Sequence, residues 1–383
     1  MKKTFLGLSI LISCFYSCSD DNDTVVDTNT SISSIRFIGE QIIPDGFQFN
    51  GNIVGGLSSI DYANNKFYLI SDAPNAPIRV YSADLNYTET EFTSINITSE
   101  IELLDTNNTS FINPIDPEAL RIDTDANSII WASEGNINNG ENPFIREASL
   151  NGNFKRDFTI PSIFEAKSID TEGPRHNGVF ESISLSIDKK GYWVGMELPL
   201  KEDGVEPIFA MDTDSPVRIA YINKSTGKFE KQFAYELDKV AREVVGTGFN
   251  FTVNGLVELL EYDTNKFLAL ERSFTTGADD GGNNVKIYKV DASNATDIST
   301  ISSLKGANYV KATKTLLFDF ELIRDQLSSI PAGNGAKVVD NIEGITFGPR
   351  LANGNLSIVL VADNNFSAFG QQLNQFVVFE VLP

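Results

Sequence analysis

The chain of 383 residues has little cysteine, little histidine and a deficit of positive charge. Its two cysteines, Cys14 and Cys18, lie in the first twenty residues, so the remainder can form no disulfide and offers no thiolate. The single histidine, His176, excludes a zinc site built from several histidines. With 52 acidic and 30 basic residues the net charge is −22, which excludes a protein that holds nucleic acid through a basic face.

The chain also lacks, near its N-terminus, an apolar run long enough to cross a bilayer, which takes about 20 residues. Residues 5–16 form a shorter apolar run after Lys2 and Lys3, a pattern typical of a secretory signal peptide. We therefore predict a signal peptide over residues 1–17, a polar tether over 18–33 and one folded domain over 34–383.

The end of this leader contains two cysteines that could carry a lipid. The residues before Cys14 fit the usual lipobox better, but lipidation there would leave Phe15 and Tyr16 in the tether. We favour Cys18, which is followed at once by the polar, acidic residues 19–23. The arrangement resembles surface lipoproteins of Bacteroidetes-type bacteria, which implies an exported, outer-membrane-anchored protein that touches the membrane only through its lipid. A plain secreted protein cleaved elsewhere is the alternative.

From Ser34 onward, short alternating apolar runs separated by Asn, Asp and Gly predict β-strands, and no long amphipathic helix is evident. Five segments repeat, each a hairpin that closes on an acidic residue. In four of them the opening residue and the closing acid are 16 positions apart, and in the fifth they are 20 apart. The opening and closing residues are Gly56 and Asp72, Glu118 and Glu134, Glu181 and Glu197, Gly255 and Glu271, and Glu343 and Asp363.

A second hairpin follows the first in four of these units, and the last unit lacks its fourth strand. We expect Ile35–Ile43 to supply that strand and to close a ring by pairing the two chain ends. Four antiparallel strands per unit, repeated radially, predict an all-β fold, a β-propeller. Five blades are detectable, and a degenerate sixth is not excluded in the long interval before Asp363. A pair of β-sandwiches and an open β-solenoid are the alternatives.

In such a blade the first strand starts, and the second ends, at the same mouth of the central channel. The predicted mouth therefore collects Glu118, Glu181 and Glu343 from strand starts, and Asp72, Glu134, Glu197, Glu271 and Asp363 from strand ends. It also receives Arg79 and Arg218 from third strands, and Arg272 beside Glu271. Carboxylates this crowded repel one another unless cations or arginines balance them. Hard cations prefer oxygen ligands, so Ca²⁺ is the expected cofactor.

Each acid also has a structural interpretation, because an acid at a fixed blade position can accept hydrogen bonds from loop amides. Glu258 falls two positions beyond the ring and is predicted to lie outside it. His176 lies in the loop that leads to Glu181. It is a candidate general acid or phosphate contact, or else an ordinary surface residue.

Several of these segments resemble the phytase-like family, which is described as having esterase-like activity. The resemblance runs over about residues 50–383 and rests on five ordered motifs: Gly55-Gly-Leu-Ser-Ser-Ile-Asp with Ser71-Asp72, Asp116-Pro-Glu-Ala-Leu with Trp131-Ala-Ser-Glu134, Gly178-Val-Phe-Glu-Ser-Ile, Leu270-Glu-Arg272, and Asp340-Asn-Ile-Glu-Gly-Ile with Ala362-Asp-Asn-Asn-Phe366. Ala119 and Ser182 depart from the usual glycine after the glutamate. The resemblance implies a propeller and an ester or phosphoester hydrolase. No Gly-x-Ser-x-Gly elbow is present.

Two hypotheses about function result. In the first, a monomer hydrolyses a small phosphoester or ester, and Ca²⁺ is held by Asp72, Glu118, Glu134, Glu197, Glu271 and Asp363. Arg79, Arg218 and Arg272 would orient the phosphoryl oxygens, and Glu181, Glu343 or His176 would move the proton. In the second, the same funnel holds a ligand without turnover, as a surface binding or scaffold protein.

Overall fold

The computed structural model of the protein describes residues 31–330 and 335–383. The predicted signal peptide, Cys18 and the tether up to residue 30 lie outside these residues. Ile32, which we assigned to the tether, is 5% exposed and belongs to the core of the domain. Ser33 donates its backbone N–H to Leu382 O, so the domain begins slightly earlier than Ser34.

The described chain is built from β-strands and a few single-turn 3₁₀-helices. The strands are β1 (Ser34–Ile43), β2 (Gln48–Phe49), β3 (Asn52–Ile53), β4 (Leu57–Ala63), β5 (Lys66–Ser71), β6 (Ile78–Tyr87), β7 (Phe92–Leu103), β8 (Pro117–Asp123), β9 (Ser128–Ser133), β10 (Phe144–Ser149), β11 (Phe154–Asp157), β12 (Phe180–Leu185), β13 (Gly191–Met196), β14 (Pro216–Asn223), β15 (Phe229–Glu236), β16 (Thr252–Asp263), β17 (Lys266–Thr275), β18 (Asn283–Asp291), β19 (Thr313–Asp319), β20 (Ile342–Gly348), β21 (Ser357–Ala362) and β22 (Asn374–Leu382). The 3₁₀-helices are Ile137–Asn139, Ser162–Phe164, Phe320–Leu322, Arg324–Gln326 and Asn365–Ser367. Over the two described ranges, no helix has the length and apolar character that a membrane span requires.

The larger sheets are five four-stranded antiparallel blades, which confirms the predicted five-bladed β-propeller. Blade 1 is β4–β7, blade 2 is β8–β11, blade 3 is β12–β15 and blade 4 is β16–β19. Blade 5 runs β20, β21, β22 and then β1, which pairs from Ser34 with Leu382 to Ile43 with Asn374. The two ends of the described chain therefore close the ring, as predicted, and the described residues form no sixth four-stranded sheet; the remaining sheet is the two-stranded pair β2 and β3.

Tight turns and apolar contacts between blades explain why these segments form sheets that pack together. The two-residue turn between β4 and β5 consists of Asn64 and Asn65, both with positive φ, as a hairpin turn of this length favours. Buried residues of neighbouring sheets interdigitate in separate clusters, such as the one that joins blades 5 and 1 through Ile60, Val361 and Phe376. The core thus lies between the blades and leaves the axis to the innermost strands.

One ion pair blocks the channel at the axis. Arg121 of β8 lies 3.1 Å from Glu258 of β16, and both side chains are almost completely buried. Arg121 donates to carbonyl oxygens of β4, β8, β16 and β20, and Glu258 accepts from Ser59 Oγ of β4 and Ile183 N of β12. The pair therefore contacts all five innermost strands. Glu258 lies outside the acid ring, as predicted.

Candidate functional site

Each innermost strand has a β-bulge at the mouth end of the channel, where one residue has no partner in the next strand. A bulge twists the strand and redirects the side chain of the extra residue. The extra residues of β4, β8, β12, β16 and β20 are Ser58, Glu118, Glu181, Val257 and Glu343. Three blades therefore place a glutamate at the mouth by the same backbone irregularity.

The bulges also define which residue closes each hairpin at the mouth. The backbone N–H of Asp72, Glu134, Glu197 and Asp363 donates to the carbonyl two positions before the bulge, over 2.7–2.9 Å. In blade 4 the residue at this position is Arg272, which pairs with Gly255. Gly56 and Gly255 are therefore equivalent to Asp116 rather than to Glu118. The equal 16-residue spacing therefore matched the wrong residues of blades 1 and 4 to those of the other blades, because the hairpin turns differ in length.

This register removes Glu271 from the predicted ring. Neighbouring residues of a strand point to opposite faces, so Glu271 turns away when Arg272 faces the mouth. Glu271 accepts hydrogen bonds from Tyr235 Oη, Asn254 Nδ2 (2.8 Å) and Asp238 N (3.1 Å), and it lies 2.6 Å from Lys314 Nζ. It is a fully partnered residue between blades 3 and 4, and its placement corrects the prediction that it lies in the ring.

Asp116 lies in the mouth, whereas Glu271 does not, and the sequence analysis did not identify Asp116. It lies two residues before Glu118, on the strand approach, and it interacts electrostatically with Asp72, Glu118 and Glu134. The signal was present, since the Asp116-Pro-Glu118 motif begins at this residue. We call the resulting group the carboxylate cluster; its members are Asp72, Asp116, Glu118, Glu134, Glu181, Glu197, Glu343 and Asp363.

The members of the carboxylate cluster are close enough to raise one another's pKa. Burial, followed by repulsion from neighbouring carboxylates, raises the pKa of Glu118, Glu134 and Glu181 well above the ordinary value. Burial and the charges of neighbouring acids raise the pKa of Asp72 to about 7. Burial also raises the pKa of Glu197 to about 7, although Arg272 opposes this shift.

Two pairs within the cluster are in hydrogen-bonding range of each other, Asp116 with Glu118 and Glu181 with Glu197. Such a carboxyl pair needs a shared proton or a cation, because two adjacent negative charges repel. Other oxygens have no partner at all. Glu134 Oε2 and Glu181 Oε2 are buried without a hydrogen bond in residues that are 1% and 7% exposed.

The cluster has one guanidinium at its centre. Arg272 Nη2 lies 2.9 Å from Glu343 Oε1 and 3.6 Å from Glu197 Oε1. Asn341 Nδ2 also donates to Glu343 Oε1, over 2.9 Å, and to Asp363 Oδ2, over 3.3 Å. One arginine cannot balance eight carboxylates, so the mouth needs further positive charge or bound protons.

The donor atoms fit a hard cation such as Ca²⁺, because they are carboxylate oxygens and three of them, on Asp72, Glu134 and Glu181, are buried without partners. Across residues 31–330 and 335–383, no three acidic, histidine or cysteine side chains already surround one metal position. Cation binding would therefore require some carboxylate side chains to turn about their own bonds, which the paired acids can do when the shared proton is lost.

Arg79 and Arg218, predicted to accompany the acids, lie elsewhere. Arg79 Nη2 donates to Asn52 Oδ1 over 2.9 Å at the edge of blade 1. Arg218 is fully buried in blade 3, where two hydrogen bonds of 2.6 and 2.9 Å join it to Asp203. Arg218 also donates to Ile301 O, so it anchors the long loop before β19. Neither contacts a cluster member.

His176 lies at the rim of the mouth. It is exposed and interacts electrostatically with Asp116: burial raises the pKa of Asp116, and the hydrogen bond with Glu118 and the nearby His176 oppose this shift. The segment that follows it is bound to the cluster, because Val179 N donates to Glu134 Oε1. The histidine is therefore close to the acids but not among them.

A strained turn covers the side of the mouth beside Asp72. Asn365, Phe366 and Ser367 all have positive φ, between 44° and 58°, a conformation that costs energy for residues other than glycine. Phe366 packs over Gly56, and a Cβ at Gly56 would overlap the carboxylate of Asp72. Gly56 also has a φ of +61°, so both the backbone and the space around it require glycine.

The family comparison matches residues 52–366 to the phytase-like family, described as esterase-like activity of phytase. The chain belongs to the phytase-like family. The match spans all five mouth-closing positions, from Asp72 to Asp363. No relative was found among curated proteins.

Several solved structures are similar in their overall path. They include a xylan β-1,4-xylosidase from Bacillus halodurans C-125, 10% identical over 84% of this chain and 52% of its own, with a TM-score of 0.43. The catalytic domain of a Coprinopsis cinerea GH62 α-L-arabinofuranosidase is 12% identical over 91% and 98%, with a TM-score of 0.41. The Cellvibrio cellulosa α-L-arabinanase is 10% identical over 84% and 90%, with a TM-score of 0.38. These identities are too low to transfer an activity.

Proposed function

We propose that this phytase-like protein is a divalent-cation-dependent ester hydrolase whose active site is the carboxylate cluster, with a small phosphoester as substrate and Ca²⁺ as the cation. The observation that carries the proposal is the excess of eight converging carboxylates over one arginine, with buried oxygens of Glu134 and Glu181 left unpartnered. A structural network would pair these atoms, as the protein does around Glu271. Unpartnered buried oxygens instead support a site that a cation fills.

A bound cation would neutralise the cluster, draw in the anionic substrate and polarise the bond to be cleaved. Asp72, Glu118, Glu134, Glu197 and Asp363 are the residues that we expect to hold it. Arg272 would bind a substrate oxygen, because its Nε has no hydrogen-bond partner. The guanidinium would thus orient the phosphoryl group while Glu343, 2.9 Å from Arg272 Nη2, holds the guanidinium in place.

Glu181 is the favoured group for proton transfer. Its Oε2 is free, whereas Glu343 already accepts hydrogen bonds from Arg272 and Asn341. Burial raises the pKa of Glu181, which makes its carboxylate a stronger base toward an attacking water. His176, at the rim beside Asp116, is the second candidate for proton transfer.

The test is hydrolysis of p-nitrophenyl phosphate, bis-p-nitrophenyl phosphate, phytate and p-nitrophenyl acetate, each with calcium and with EDTA. We expect calcium-dependent release from at least one phosphoester, and loss of kcat by about 100-fold or more in Glu181→Gln. Glu271→Gln is the matched control, since it makes the same change in a buried glutamate outside the cluster. It should keep activity after correction for folded protein.

Two results would contradict the proposal. Hydrolysis that neither EDTA nor Glu181→Gln reduces would place the chemistry outside the cluster. A cation-binding protein that cleaves none of the four esters would instead be a ligand-binding surface propeller.

We also propose that the protein is exported and held at the outer membrane by a lipid on Cys18. The acidic residues that follow Cys18 provide a hydrated tether between the lipid and the domain. Mass spectrometry of the mature N-terminus tests this directly. A lipid on Cys14, or an unmodified N-terminus beyond residue 18, would contradict it.

A further inference from the structure

The hairpin of β16 and β17 rises above the other blades at the mouth. β16 has 12 residues, whereas the innermost strands of the other blades have 6 or 7. The ladder continues beyond Gly255 and Arg272 to the pair Thr252 and Thr275. Three further residues of antiparallel strand extend about 10 Å, so this hairpin forms a ridge beside the carboxylate cluster.

The ridge presents aromatic rings to the mouth. Phe274 follows Arg272 by two residues in an unbroken ladder, so the two side chains project from the same face of β17. The Phe274 ring lies 6.1 Å from Phe251, which is stacked on Phe249 at 6.3 Å with an interplanar angle of 13°. We call Phe249, Phe251 and Phe274 the aromatic wall. Phe249 is 81% exposed and Phe251 is 47% exposed.

The backbone under these rings is held in place. Thr276 N donates to Phe251 O over 3.1 Å, and Thr276 Oγ1 donates to Phe249 O over 2.9 Å. Phe251 N donates in turn to Thr276 Oγ1, over 3.1 Å. The two rings are therefore displayed on a fixed segment, and an ordered apolar surface binds a ligand at a lower entropy cost than a mobile one.

We propose that the aromatic wall binds an aryl or similarly flat apolar group of the ester substrate, while the anionic end of that substrate lies at Arg272. The proposal rests on the proposed function, because it takes Arg272 and the cluster as the anionic subsite. Its own basis is that Phe274 of the aromatic wall and Arg272 lie two residues apart on the same face of β17. A fully polar polyphosphate such as phytate would leave the exposed rings of Phe249 and Phe251 in water, so aryl phosphoesters are the preferred class.

Binding of three small ligands tests the inference without catalysis. Phenylphosphonate carries both features, methylphosphonate carries the anionic group alone, and benzyl alcohol carries the ring alone. With calcium present, calorimetry should show phenylphosphonate binding about tenfold or more tightly than methylphosphonate. In Phe249→Ala/Phe251→Ala this preference should fall to about twofold or less, while methylphosphonate binding stays unchanged. Phe369→Ala, a phenylalanine 86% exposed on another mouth connection, is the matched control and should keep the full preference.

The outcomes separate the wall from the anionic subsite. Equal affinity for the two phosphonates in the native protein would overturn the proposal that the aromatic wall binds an aryl group. A preference that survives in the double variant would overturn it as well. Loss of a concentration-dependent dimer in the double variant also overturns it, because a second chain would then be the occupant. If neither phosphonate binds but ligand-observed NMR detects benzyl alcohol only when the two rings are present, the wall stands and the proposed function fails. If none of the three ligands binds, both fail.

Discussion

The channel pair and the carboxylate cluster are two buried charged regions a few residues apart on the same strands, and they are built in opposite ways. Arg121 and Glu258 form one ion pair in which hydrogen bonds to five strands surround the charges. The cluster at the mouth has eight acids around Arg272, and buried oxygens of Glu134 and Glu181 are left without partners. Burial raises the pKa of Glu258 to about 7 even beside Arg121, so burial disfavours a charged carboxylate in both regions.

The difference shows how charge balance distinguishes a structural region from a functional one. A buried pair whose two charges balance can hold strands in register, and in this pair only Arg121 Nε lacks a hydrogen-bond partner. A cluster with surplus charge costs stability until a ligand neutralises it, and that cost is the source of its affinity. The propeller combines both, with the rigid pair at the axis beneath the unbalanced mouth.

The largest effect is expected from breaking the channel pair. Arg121→Met leaves Glu258 buried without its cation, so the free energy of unfolding should fall by about 3–5 kcal/mol, with or without calcium. Urea denaturation monitored by tryptophan fluorescence measures this. The double variant Arg121→Met/Glu258→Leu should recover much of the loss, because it removes both charges. An unchanged midpoint in Arg121→Met would mean that the pair does not hold the axis.

The pH dependence of stability should be the next largest effect, and the mouth should contribute to it together with Glu258. Folding raises the pKa of Asp72 from 3.8 and of Glu197 from 4.5 to about 7 in both cases. Between about pH 4.5 and 7 the folded protein binds more protons than the unfolded chain, so stability falls as pH rises. In EDTA the free energy of unfolding should drop by on the order of a few kcal/mol from pH 5 to pH 8.

Calcium should oppose this drop at pH 8 and have little effect at pH 5, where protons occupy the cluster. Denaturation curves at both pH values, with calcium and with EDTA, measure the two effects in one experiment. A calcium-free profile that is flat or that rises over this range would show that the cluster does not take up protons on folding.

The smallest effect concerns single members of the cluster. Calcium at about 100 times its dissociation constant should stabilise the native protein by about 2.7 kcal/mol, seen as a rise in melting temperature of a few degrees. In Glu181→Gln this rise should shrink by about half or more, because the cluster that attracts the cation loses one negative charge. Glu271→Gln should be less stable in both conditions yet keep the full rise. Equal calcium shifts in all three proteins would show that the charge of Glu181 does not help the cluster to hold the cation.

Local patterning was sufficient to predict the blades. Alternating apolar residues and Asn-rich turns specify each hairpin, and the missing fourth strand of the last unit identified Ile35–Ile43 as the closing strand. These features depend on neighbours a few residues apart, so they can be recognised without knowing the fold. The same holds for Glu118, Glu181 and Glu343, whose motifs recur at the starts of the innermost strands.

The sequence by itself determined the all-β repeat, the closure of the ring and the convergence of acids at one mouth. Only the tertiary structure decided that Arg272, rather than Glu271, faces this mouth, and that Asp116 joins the cluster. The reason is the bulge in each innermost strand, because one inserted residue exchanges the two faces of the segment beyond it. The hairpin turns also differ in length, so the number of residues between two positions does not reveal this exchange. The pairing of Arg121 with Glu258 likewise joins residues distant in sequence, and only closure of the ring brings them together.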